Sequence, residues 1–221
     1  MPAPNQPVLM VSSVVYGYEE LLDRIYASLS TFGYEVWMSH KGTMPVYPKM
    51  TALESCRQAV QNCDLFLVII LPHYGTGKED PTDDSIVHEE LRIAIQEKKP
   101  RWILAHDHVV FARSLLEKLQ IKKQAAPKPE KLDRRVLSLD KNTVFQDLRI
   151  IDMYELAIRR DVIVYRDRKG NWVQKFSSTE EANLFAVSQF RRYQEAEAFV
   201  SENFDNAKSV TKRLKPKGGR K

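Results

Sequence analysis

The stretch DDSIVHEELRIAIQEKKP, residues 83–100, sets two adjacent carboxylates, Glu89 and Glu90, near the start of a helix. Neighbours on a helix point about 100° apart, so at most one of the two can share an apolar face. With Glu90 as zero, Ile86, Val87, Leu91, Ile93 and Ala94 lie within about 100° of it, and their mean direction within about 40°. Glu89 falls on the edge of that sector. His88 falls on the far side, about 160° away, where a surface role is expected. Glu90 is therefore the inward carboxylate. An ionised carboxylate among apolar side chains is costly unless it is paired or lines a cleft. A salt bridge, or a side chain reaching outward to water, would be the structural explanation. In a cleft the same group can stabilise developing positive charge or act as a nucleophile.

The surrounding elements place Glu90 where a ligand would bind. Residues 8–11 form an apolar run closed by Ser12 and Ser13, which suits a buried strand. Leu21, Leu22, Ile25, Leu29 and Phe32 make one helical stripe that Gly33 stops, and residues 34–38 read as a second strand. Residues 39–50, with two prolines and a glycine, read as a long loop, and 51–62 as helix. Residues 65–71 are apolar without alternation, as in a strand buried on both faces of a parallel sheet. The Glu90 helix ends at Lys99-Pro100; residues 102–105 then form a fourth strand and 109–120 a helix. The expected fold class is α/β, a flavodoxin-like doubly wound parallel sheet with a C-terminal α+β extension. Ligands of such sheets bind beyond the carboxyl ends of the strands, where the following helices begin. Glu90, Ser12, Ser13 and the Tyr74-Gly75-Thr76-Gly77 loop converge on that edge. Ser12 and Ser13 could equally cap the next helix, and Tyr74 could pack at the rim.

The chain divides into an α/β domain over 1–121, a linker or exposed loop over 122–135, an α+β extension over 136–205 and a basic disordered tail over 206–221, and the sequence leaves open whether 136–205 complete the first sheet or form a separate small unit. Within the extension, 145–160 reads as a helix, 162–176 as a hairpin, and Ser177 or Ser178 as the cap of a last long helix. The longest apolar run has seven residues, far short of the roughly 20 that span a bilayer. The start MPAPNQP lacks a secretory pattern, so a cytoplasmic protein with no membrane partner is expected. The net charge of +5 is concentrated in the tail, which holds seven of the 34 Lys/Arg and no acid. That leaves 27 basic against 29 acidic residues elsewhere, too balanced for a nucleic-acid-binding body. A partner protein or RNA would be met through residues 136–221. Cys56 and Cys63, on one helix, stand roughly 10 Å apart, too far for a disulfide, and read as buried free thiols. The histidines show no metal-ligand spacing, and no metal is expected. Trp37 and Trp102 read as packing residues.

Three segments together resemble a known family: VSSVVYGYEELLDRIYASLSTFGYEVWMSHKG, ALESCRQAVQNCDLFLVIILPHYGT and SIVHEELRIAIQEKKPRWIL. The V-S-S strand end, the C-x-x-x-V-x-x-C-D-x-F pattern, the Y-G after the central strand and the S-x-x-x-x-E-L-x-x-A helix resemble bacterial TIR-like domains over residues 8–110. The resemblance implies an enzyme that cleaves the nicotinamide–ribose bond of NAD by hydrolysis or cyclisation, as an effector of antiphage defence. It implies Glu90 as the catalytic residue, and NAD as substrate with no further cofactor. Ser12, Ser13, Tyr16, Tyr74, Gly75 and Ser85 are the substrate-binding candidates. Ser12 and Ser13 would hold ribose or phosphate, Tyr16 would stack on a base, and Tyr74 with the glycine loop would close over the ligand. Residues 40–50 sit where such domains carry a self-association loop, so a homo-oligomer is expected. Nucleoside deoxyribosyltransferases are similar and keep a glutamate nearby, so a nucleoside or nucleotide N-glycosidase remains open. So does a non-catalytic self-association module.

Overall fold

The computed structural model describes residues 6–75, 83–121, 144–145 and 147–191. Five strands form one parallel sheet: β1 (Val8–Ser13), β2 (Glu35–Trp37), β3 (Leu65–Ile70), β4 (Arg101–His106) and β5 (Val173–Phe176). Their order is β2-β1-β3-β4-β5. The helices are α1 (Glu19–Thr31), α2 (Ala52–Asn62), α3 (Ile86–Gln96), α4 (Asp107–Ile121), α5 (Arg149–Ala157) and α6 (Thr179–Phe190). This is the doubly wound, flavodoxin-like α/β fold.

β3 lies at the centre and is buried along its whole length. Leu65, Leu67 and Ile69 face a core covered by α1 and α6, while Phe66, Val68 and Ile70 face one covered by α2, α3, α4 and α5. A strand enclosed on both faces has no position for a polar residue, which is why its sequence shows no alternation. Phe176, Ala182, Ala186 and Phe190 complete the first core, and Ile150, Ile151 and Met153 the second. Residues 149–190 are thus built into the sheet and both of its layers.

The expected hairpin over 162–176 is not formed. The Val162 N–H donates to the Arg159 carbonyl at 3.1 Å, and the Val162 carbonyl accepts from Arg168 Nε at 2.7 Å. With its backbone groups committed to local contacts, the VIVY run has no ladder to join, and Ile163 is 93% exposed. Only Val173–Phe176 becomes a strand, parallel to β4. The helix expected over 145–160 spans Arg149–Ala157 and ends before Arg159, whose φ is +56°. The expected linker, the tail, Thr76 and Gly77 lie outside the described residues, as do 136–143 and 192–205 of the expected extension.

Candidate functional site

The strand order reverses between β1 and β3, and a crevice opens beyond their carboxyl ends, as doubly wound topology requires. The cleft there has a volume of ≈ 590 Å³. Ser12 of β1, Ser55 and Cys56 of α2, and Glu90 of α3 line it. Met44, Val46 and Met50 of the loop before α2 add apolar wall, and Tyr16 stands at the rim, 79% exposed. Glu90 is the only charged side chain lining the cleft among the described residues.

Local structure fixes each of these groups. The Ser85 side chain caps α3 by accepting the His88 N–H at 3.4 Å, so Glu90 stands little more than one turn into the helix. Thr51 and Glu54 form a reciprocal capping box that starts α2 and sets Cys56 beside the same cleft. The two-residue period of β1 turns Met10 and Ser12 towards the α3 side and Val11 towards α1. Ser12 Oγ then donates to Glu90 Oε2 at 2.5 Å, and the Cys56 thiol donates to the same carboxylate.

Glu90 is 5% exposed and no lysine, arginine or histidine pairs with it among the described residues. Burial lifts its pKa from 4.5 to about 7, with the Ser12 and Cys56 hydrogen bonds pulling the other way. Burial, reinforced by the adjacent carboxylate, pushes the Cys56 thiol up to about 12, so it remains a neutral donor. Glu89 is in the opposite state. It pairs with Arg57 at 3.1 Å and with Arg92. The salt bridge that would have explained a carboxylate on this helix is made by Glu89, and Glu90 faces the cleft.

The other candidates divide. Gly75 lines the cleft with φ +88°, and a Cβ there would come within 3.2 Å of Val14 Cγ2. Ser13 borders the cleft, but its hydroxyl donates to the backbone carbonyls of Val14 and Ile69. Ser85 borders it as a fully buried cap. Tyr74, expected over the ligand, does not line the cleft. It is 2% exposed, with its hydroxyl 2.6 Å from His88 Nδ1 and 3.1 Å from Asp84 Oδ1. His88, expected at the surface, is 4% exposed. The wheel assumed one buried face, whereas α5 packs on a second side of α3, and Arg149 at its start lies over the Tyr74 ring and donates to the Asp83 carbonyl. Burial pulls the His88 pKa down to about 4, so the imidazole is neutral. Cys56 and Ser55 were missed because α2 reads from sequence as core. Their only signal is that α2 begins at the same sheet edge.

The chain belongs to the family described as a domain of unknown function, DUF4062, which matches residues 9–163. No curated protein and no solved structure matches it.

Proposed function

We propose that the chain is a TIR-like N-glycosidase that breaks the nicotinamide–ribose bond of NAD, with Glu90 as the catalytic carboxylate. The observation that carries this reading is a lone buried carboxylate, held by neutral donors, lining a mostly apolar cleft. One carboxylate suits a leaving group that needs no proton. Nicotinamide is such a group. As the C1′–N bond breaks, its cationic ring nitrogen takes the bonding pair and becomes neutral, and positive charge moves onto the ribose. Ionised Glu90 stabilises that oxocarbenium-like centre or attacks C1′, and can hold the ribose hydroxyls. Water then bonds to C1′ and releases a proton, giving ADP-ribose; an internal nucleophile gives a cyclised product instead. The Met44, Val46 and Met50 side chains offer apolar wall to the nicotinamide ring, and Tyr16 a ring to stack on at the rim.

A second reading, a nucleoside N-glycosidase or deoxyribosyltransferase, is favoured by one feature: among the described residues neither lysine nor arginine lines the cleft to meet a diphosphate. A substrate panel separates the two. NAD and a set of nucleosides are incubated with concentrated protein, and the released base is resolved by chromatography. Nicotinamide as the released base supports the first reading; a purine or pyrimidine with intact NAD replaces it with the second. Val46, Tyr47 and Met50 are exposed on the loop before α2, which supports self-association through it. A pure assembly module would lose assembly on Val46→Asp and show no turnover of any substrate.

A further inference from the structure

Residues His106, Asp107 and His108 are consecutive, yet one donor atom from each lies within 4.8 Å of the others. They converge because β4 ends at His106 and α4 begins at Asp107. The two-residue alternation of a strand, which would throw neighbours to opposite faces, stops at that junction. His106 follows Leu104 on the α1 and α6 side of the sheet, packed edge-on against Phe176 and Tyr18. The cluster therefore lies on the opposite face from Glu90.

The electrostatics of the cluster are incomplete. Asp107 Oδ1 is shielded from solvent and accepts no hydrogen bond among the described residues. It lies 3.0 Å from His106 Nδ1 and 4.0 Å from His108 Nε2. His106 Nδ1 accepts the His108 backbone N–H at 3.2 Å, so it is the unprotonated nitrogen and brings no proton to the carboxylate. Asp107 Oδ1 is thus a shielded acceptor 3.0 Å from an imidazole nitrogen that gives it no proton, a charge that a cation shared with the two imidazoles resolves. We propose that His106, Asp107 and His108 form a binding site for a zinc-class divalent ion. Two imidazoles and one carboxylate match Zn²⁺, Co²⁺ or Ni²⁺ rather than Mg²⁺ or Ca²⁺, which prefer all-oxygen shells. Bonds of about 2.1 Å bring tetrahedral ligand atoms to roughly 3.4 Å of one another, so the 4.8 Å spread must contract. The exposed His108 side chain can make that move. Three protein ligands leave a fourth position for water.

The test is titration of the untagged, chelator-treated full chain with Co²⁺ and then Zn²⁺, followed by visible absorption and calorimetry. The site predicts one equivalent of Co²⁺ with d–d bands, no thiolate charge-transfer band, and displacement by Zn²⁺. Asp107→Asn and His108→Ala should each weaken binding by more than about 10-fold. Both leave the buried core untouched, so their circular dichroism should match the wild type. Absence of a binding isotherm up to millimolar Co²⁺, unchanged affinity in both variants, or a thiolate band pointing to Cys56 or Cys63 would each overturn the proposal.

Discussion

Glu89 and Glu90 are chain neighbours in opposite electrostatic states, one between two arginines and the other held by a hydroxyl and a thiol. That contrast makes pH the natural probe. A carboxylate that must be ionised to act, with its pKa raised to about 7, gives a kcat/KM that climbs through neutrality and levels above it. A profile already flat at pH 5 would rule out Glu90 as the acting group. Ser12→Ala removes a donor that favours the ionised form, so the rising limb should move to higher pH. Stability follows the same group with the opposite consequence. Its folded pKa lies above its unfolded value of 4.5, so the folded chain binds the extra proton between about 4.5 and 7. Burying this carboxylate therefore costs nothing below that window and roughly 3 kcal/mol above it, from 1.36 kcal/mol per unit. Glu90→Gln should accordingly unfold at higher denaturant than the wild type at pH 8, with the difference shrinking at pH 4. A group kept only for structure would show the reverse at pH 8.

At the scale of elements, the helical wheel identified Glu90 because α3 has a true apolar face against the sheet. It misplaced His88 because a wheel holds no record of a second neighbour, and α5 is more than fifty residues away in the chain. β3 was legible from its unbroken apolar run. The hairpin was not, because an apolar run such as VIVY marks a strand only where backbone groups are free to pair. Within the candidate site, Ser12 at a strand end and Glu90 on the apolar face of a helix were legible, whereas Cys56 was lost because α2 reads as core. Ile151 of α5 is fully buried against the sheet, so Ile151→Ala should cost about 2–5 kcal/mol in a single cooperative transition. An early separate transition, leaving most of the helical signal intact, would show α5 to be an appendage. Gly75→Val meets both a positive φ and Val14, and should lower the melting temperature while leaving the pH profile in place.

For the molecule as a whole, the five strands and their two helical layers form one continuous pair of cores. The sequence divides at residue 121 by its charged, proline-containing stretch, yet β5, α5 and α6 return to complete the sheet and cover both faces. A chain ended at residue 121 would expose both cores along β4 and should not unfold cooperatively by circular dichroism. Long-range return of this kind leaves no local mark, which is why composition left open whether residues 136–205 complete the first sheet or stand apart. No helix among the described residues is long and apolar enough to cross a membrane. The central claim is that this architecture delivers one buried carboxylate to a cleft for N-glycosidic cleavage. The most direct measurement is nicotinamide release from NAD by the full chain at high concentration, wild type beside Glu90→Gln, with both shown to be folded. The account predicts steady release by the wild type and a loss of at least about 100-fold in the variant. Equal release by the two proteins would contradict it.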